Sequence, residues 1–380
     1  MALRKAGEES PAAPHDVSHV VAQFSHLRSR KDVVDPNKIH WAVLNLGKRI
    51  ACLQVRGGNQ RCKEMLLACK SYLQEYSASP SQAINLDLSE NIVLFGKYLE
   101  TCRPLSIGME NALQHVNALI RKLRSDVTAK AACDWLTRGI DLFIRERIDV
   151  ALSNIAERAN AIVKSGEVIL TYGRSSAVEA ALLLSKSQQK DIQVIIVDSR
   201  PYQEGKQLLS SLLAAGIPCS YVLLSNASYI IRDASRVFIG CSGLLANGSL
   251  MNRAGSALVC SMANIHKKPV LVLAETYKFS ERVQLDSIVY NDLEPDQSYI
   301  VNTDMCPGET RLAPVFGDLL ASRTEFLSVR YDITPAKFID MLITEVGCIP
   351  STSVPVILRE FQEGKDDVDA ELNLELASTS

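Results

Sequence analysis

Three short runs carry the residue types that could hold or transform an anion. YGRSS (Tyr172 to Ser176) follows an apolar run and precedes a helix-length segment. A helix start offers free N–H groups, Ser175 or Ser176 could cap it, and Arg174 adds positive charge. The same residues also make a well-capped strand-to-helix turn. DSRP places Asp198, Ser199 and Arg200 at the carboxyl end of the next apolar run. Open α/β sheets take ligands at that edge, and a guanidinium can hold a phosphate or carboxylate through two bonds. An Arg–Asp pair or a subunit contact would use the same residues. ANGSLMNR sets Asn247 and Gly248 in a turn that tolerates positive φ and exposes backbone donors, with Arg253 expected one helical turn further on. The bland alternative is a purely structural turn.

For acid–base or nucleophilic chemistry the chain is poor. Its six histidines are His15, His19, His26, His40, His115 and His266, and only His266 falls in the second half, so a Ser-His-Asp set has little to draw on. Cys241 sits at the end of an apolar run with no base evident beside it, which reads as a small buried hydrophobe rather than a nucleophile. ETYKFSERVQ interleaves Glu275, Lys278, Glu281 and Arg282 with Tyr277 and Phe279. That pattern suits a protein interface or a solvated loop.

Composition narrows the classes. A hydrophobic content of 47% supports buried cores, and a net charge of −2 supplies no whole-chain basic field for nucleic acid. The ten cysteines include no CxxC pair, so neither zinc nor a disulfide framework is expected, and no metal site is assigned. The N-terminal residues lack an apolar signal region, and no apolar run reaches the ~20 residues that span a bilayer. A cytosolic chain with reduced thiols is expected.

Positioning these runs requires two kinds of element. Residues 1–18 and 362–380 read as disordered tails, the latter acidic. Residues 19–165 show helical periodicity: Trp41, Leu44, Ile50; Met65, Leu66, Cys69, Leu73; Ile92, Phe95, Leu99; Met109, Leu113, Val116, Ile120. Trp135, Ile140, Phe143, Ile148, Leu152, Ile155 and Ile162 form one longer helical series. Residues 166–361 change character: VILTYG, QVIIVDS, SYVLLS, RVFIGC and PVLVLAE alternate with helix-length segments, including MNRAGSALVCSMANIH. Continuous apolar strands with helical crossovers predict a Rossmann-like, doubly wound parallel sheet. No GxGxxG is present, so no dinucleotide site and no cofactor are expected. Ser328 to Arg359 is expected to add a helix and a last strand.

YGRSS, IIVDSRP, LLANGS, ETYKFSERVQ, YDITP, ITEVGCIPSTSVPVILR and the CRPLS run at Cys102 to Ser106 resemble the regulatory-subunit family of eukaryotic translation initiation factor 2B. The resemblance runs from about Phe24 to Arg359, and ETYKF with SVPVILR is closest to the delta branch. The family is similar to methylthioribose-phosphate and ribose-bisphosphate isomerases, which use a cysteine after the first strand and an aspartate in a later turn. On that alignment Gly173 stands at the cysteine and Ser242 at the aspartate, so no catalytic residue is assigned. A proton cannot be moved between sugar carbons without such groups. Arg174, Arg200, Asn247, Gly248 and Arg253 would remain as an anion-binding set, Arg253 standing where the isomerases carry a basic residue.

The resemblance further implies a non-catalytic regulatory subunit of the complex that exchanges guanine nucleotide on initiation factor 2. Its partners would be the alpha, beta, gamma and epsilon subunits of that complex and the alpha subunit of the factor, with no nucleic acid and no membrane. Subunits of this family assemble through their α/β halves, and the helical halves line a groove for the factor. The run RERIDVAL places Glu146 and Val150 at the recognition positions, one turn apart, and Leu86 stands where the family has a basic contact. The alternatives are a sugar-phosphate isomerase and a subunit that senses a sugar phosphate or nucleotide.

Overall fold

The computed structural model describes residues 24–28, 34–77, 83–123, 127–200, 202–293 and 327–363. The expected tails lie outside these residues, apart from the last two residues of the final helix.

Helical periodicity before residue 165 becomes α1 (Trp41–Ala51), α2 (Gly58–Glu75), α3 (Ile84–Cys102), α4 (Ile107–Lys122), α5 (Ala129–Phe143) and α6 (Ala151–Ile162). Their starts follow local chemistry. The hydroxyls of Ser106 and Thr128 accept from the N–H groups of Met109 and Ala131, satisfying donors that a helix start leaves unpaired. α3 stops at Arg103, which is extended at φ −166° and ψ 139°; the residue before a proline is sterically barred from helical geometry. Val43, Leu66, Phe95, Met109, Val116 and Leu136 line the shared core of this bundle.

Between α5 and α6 the rod does not break. Ile144–Val150 forms a π-helical turn. The buried stripe explains it: Ile140, Phe143, Ile148 and Ile155 all face the interior, and the step of five from Phe143 to Ile148 is too long for α-helical phase. One wider turn takes up the extra residue and keeps the stripe inward.

The sheet begins with β1 (Glu167–Tyr172) and continues through β2 (Ile192–Asp198), β3 (Cys219–Leu223), β4 (Arg236–Gly240), β7 (Val270–Leu273), β10 (Met341–Ile343) and β11 (Cys348–Ile349), in spatial order β11-β10-β7-β4-β1-β2-β3. All neighbours pair in parallel except β10 with β11. Strand residues alternate between two cores. Ile169, Val194, Ile196, Phe238 and Leu271 pack with α6, α7 (Ser176–Ser187) and α8 (Gly205–Ala214). Leu170, Ile195, Val237 and Val270 pack on the other face with α9 (Ser256–Ile265) and α10 (Val354–Glu363). Helices on both faces make the sheet doubly wound, and chain direction across it reverses between β1 and β4.

A second sheet was not expected. β5 (Gly243–Leu245), β6 (Leu250–Arg253), β8 (Phe279–Ser280) and β9 (Tyr331–Thr334) form it in the order β8-β5-β6-β9. Its pairing corrects two expectations. Arg253 lies on a strand rather than a helix, because Asn247 and Gly248 close a β5–β6 hairpin and Met251 then pairs with Ile333. The segment from Ser328 to Arg359 holds β9, β10 and β11 and ends in a helix, not a strand.

Helices and sheets share a buried ionic joint. Asp292 accepts from Arg103 at 2.7 Å and lies 3.2 Å from Arg330, all three side chains being almost fully buried.

Candidate functional site at the sheet edge and the π-turn

Strand order reverses between β1 and β4, the place where open α/β sheets take ligands at their carboxyl edge, and both Gly173 and Ser242 fall there. Gly173 follows β1 with φ +63°, its N–H bonded to the carbonyl of Val197 at 2.8 Å. Ser242 follows β4 and donates to Asn252 Oδ1 at 3.1 Å. Ser175 leans across this edge: a Cβ on Gly240 would lie 2.3 Å from its hydroxyl. Cys241 is buried, and burial pushes its thiol up to about 12, so it is not a nucleophile at neutral pH.

Of the five candidate anion-binding residues, Arg174 and Arg253 both bond to residues at the start of α8, while Asn247 and Gly248 form the β5–β6 turn. Arg174 donates to Glu179 at 3.0 Å and to Gln207 at 2.9 Å. Arg253 is paired with Glu204 at 2.6 Å. Asn247 is spent on its own hairpin, accepting from Ser249 N–H and donating to the carbonyl of Gln284, both at 3.1 Å. Gly248 supplies φ +76° for that turn, and a side chain there would meet the Ser351 carbonyl at 2.7 Å. Arg200 is exposed at the end of β2. Beside it, burial raises the carboxyl of Asp198, which accepts from Tyr221 at 2.9 Å. The local charges are balanced mainly by neighbours within the chain.

Residues that the motif reading undervalued lie on the same edge. ETYKF is neither a solvated loop nor an outer surface: Glu275, Thr276, Tyr277, Lys278 and Phe279 are all buried. The carboxylate of Glu275 is fully buried, 2.6 Å from Lys278 Nζ, and accepts from Asn59 at 2.6 Å. Asn59 in turn accepts from the Tyr277 hydroxyl at 2.7 Å. Lys278 also donates to the Cys241 carbonyl at 3.2 Å. Asn59 opens α2, so this network fastens the helical region to the sheet edge. Its sequence signal was present: two opposite charges three apart inside an apolar run can be buried only as a pair. Glu281 and Arg282, beyond β8, reach the surface, and Arg282 bonds Glu110 at 2.6 Å.

The other candidate face is the π-turn. Arg145, Glu146, Asp149 and Val150 are exposed while Ile148 is buried. Glu146 lies 3.4 Å from Arg145. Lys63 pairs with Asp149, and Lys70 pairs with Asp141 at 2.7 Å, holding α2 against this rod. Leu86 is exposed near the start of α3. The surface is a mixed-charge ridge with one apolar residue, Val150, 47% exposed. Among the described residues no group of histidine, cysteine and carboxylate side chains has the geometry of a metal site, and no helix is long and apolar enough to cross a membrane.

Comparison with known proteins decides the family. The Initiation factor 2 subunit family matches residues 54–351. The chain belongs to the Initiation factor 2 subunit family. Translation initiation factor eIF2B subunit delta of Schizosaccharomyces pombe is 37% identical over 346 residues, spanning 90% of this chain and 74% of that protein. The subunit delta of Dictyostelium discoideum is 36% identical, over 87% of this chain and 53% of that protein. The crystal structure of the tetrameric eIF2B-beta2-delta2 complex from C. thermophilum superposes with a TM-score of 0.72 at 31% identity, covering 85% of this chain and 97% of that one. The ribose 1,5-bisphosphate isomerase of Pyrococcus furiosus is 27% identical over 84% of this chain and 93% of that protein. The family fold thus spans proteins named as initiation-factor subunits and proteins named as isomerases.

Proposed function

We infer that this chain is a delta-type, non-catalytic regulatory subunit of the exchange complex for initiation factor 2. In this reading it binds the factor's alpha subunit and responds to its phosphorylation. One feature carries the non-catalytic part: the sheet edge at the β1–β4 reversal presents Gly173 and Ser242 at the positions the resemblance aligns with the isomerases' cysteine and aspartate, and neither can shuttle a proton. The pairing of Arg174 with Glu179 and of Arg253 with Glu204 supports the same reading, because a phosphate would have to displace those carboxylates. The likeness to subunits delta, and to a solved beta–delta assembly, supports membership of a hetero-oligomer with the alpha, beta, gamma and epsilon subunits in the cytosol.

The binding face in this reading is the π-turn. Wider helical turns recur at functional sites, and this one displays Glu146 and Val150 on a rigid rod. Phosphorylation adds about −1.5 to −2 charges to a docking partner. Beside Arg145, Glu146 and Asp149 that change would alter which docked pose is favoured.

Affinity purification of the intact chain from its own cells, followed by native mass spectrometry, tests the subunit reading. Recovery with the other exchange-factor subunits is expected. Recovery as a lone homodimer that turns over a ribose phosphate would overturn it and establish the isomerase reading.

A further inference from the structure

The segment between β7 and β8 stands between the sheet edge and the π-turn. Glu275 is the second residue past β7, and its buried carboxylate pairs with Lys278 and accepts from the half-buried Asn59. Tyr277, between them, sends its ring into the helical core, where it meets Phe143 edge-on with ring centres 6.0 Å apart. Phe143 is the residue immediately before the π-turn. The opposite side of the Tyr277 ring is closed by α4: a Cβ on Gly108 would lie 2.6 Å from the ring. Asn111 of the same helix donates to the carbonyls of Tyr277 and Phe279 at 2.8 and 2.7 Å, so the segment is clamped along its backbone as well. The short turn that carries Tyr277 packs directly on the π-turn.

A clamped ring against the residue that leads into a wide turn can act as a positioning device. π-helical turns are rare and occur mostly as single wide turns inside α-helices, so the packing beside this one is pertinent to its persistence. We propose that Tyr277, fixed by the Glu275–Lys278 pair and Asn59, positions the π-turn and makes its exposed face responsive to the sheet edge. Displacement of β7 relative to the helical bundle moves the ring, and the ring moves Phe143 and the residues that follow it. The face in question is the one assigned above to factor binding, so the functional meaning rests on that reading. The mechanical link does not.

Hydrogen–deuterium exchange on the full chain tests the link without any partner. Tyr277→Leu removes the ring and is expected to speed exchange of the amides of residues 144–150 at least ~10-fold, with α8 unchanged. Tyr277→Phe keeps the ring and loses only the bond to Asn59, so those amides are expected to stay within ~3-fold of wild type. Should Tyr277→Leu loosen the whole bundle, Phe143→Leu probes the same contact from the other side and is expected to give the localised pattern. Unchanged exchange at 144–150 in Tyr277→Leu would overturn the proposal. Uniform acceleration across α1 to α4 in both Leu variants would also overturn it. Because no factor is present, these outcomes are separate from success or failure of the purification that tests the subunit reading.

Discussion

The sheet edge and the π-turn both pair their charges within the chain but set them at different depths. At the sheet edge Glu275 and Lys278 are buried as an ion pair, while Arg174 and Arg253 are paired with carboxylates of the same chain. At the π-turn Arg145, Glu146 and Asp149 face solvent on a rod whose inner side is locked by Ile148. A family whose relatives include isomerases would be expected to keep its reactive polar groups at the sheet edge. Here the Glu275–Lys278 pair at that edge is buried, and the proposed recognition surface is instead the exposed π-turn of the helical region.

Breaking the buried pair should have the largest effect. Lys278→Met leaves the Glu275 carboxylate uncompensated, with an expected loss of about 3–5 kcal/mol in chemical denaturation. The double variant Glu275→Gln/Lys278→Met should recover most of that, since no lone charge is left inside. A double variant as unstable as the single one would mean that packing, not charge, holds the edge.

A second test sharpens the electrostatics of the same region. Asp332 accepts from the N–H groups of Gly255 and Ala257 at 2.7 and 2.9 Å, and burial raises its carboxyl to about 6. An unfolded chain would have it at about 3.9. The folded state therefore holds the proton more tightly. Its contribution is fully present below about pH 4 and is lost as pH rises through about 6. Asp332→Asn should be more stable than wild type by about 2 kcal/mol at neutral pH and equal to it near about pH 4. Parallel stability curves for the two proteins across that range would refute the assignment.

Next in size is Gly240→Ala, whose methyl group would collide with Ser175 at the sheet edge. An overpacking cost of about 1–3 kcal/mol is expected in thermal unfolding. The smallest effect on stability belongs to the exposed face. Glu146→Lys with Val150→Asp should change unfolding by no more than about 0.5 kcal/mol. It should nonetheless weaken retention of the alpha subunit of initiation factor 2 by the assembled complex. Unchanged retention would remove the π-turn from the binding reading.

Long-range pairing marks the limit of what sequence periodicity discloses here. Strands β1, β2, β3, β4 and β7 of the large sheet and the helices of the bundle were legible because each carries its own apolar run or stripe, whereas β10 and β11, three and two residues long, were not. The small sheet was not, because β5, β6, β8 and β9 are two to four residues long and take their identity from partners far away, as Met251 does from Ile333. For that reason Arg253 reads as helical until β9 is placed beside it. At the site, Gly173 and Ser242 were legible as positions that lack reactive groups. The partners that neutralise Arg174 and Arg253 were not, since Glu179 and Glu204 approach only when α7 and α8 fold back over the strands. The π-turn left one readable trace, the five-residue step from Phe143 to Ile148.

The joint among Arg103, Asp292 and Arg330 has a consequence for how the molecule comes apart. Together with the Asn59–Glu275 bond it places ionised groups in the seam between the bundle and the sheets. Opening that seam while each side stayed folded would strand those groups without their partners, at a cost of several kcal/mol. The helical region and the sheet region, distinct as they are in sequence, are therefore coupled into one cooperative unit. A calorimetric scan should register a single endotherm, and limited proteolysis should not release either half as a surviving fragment.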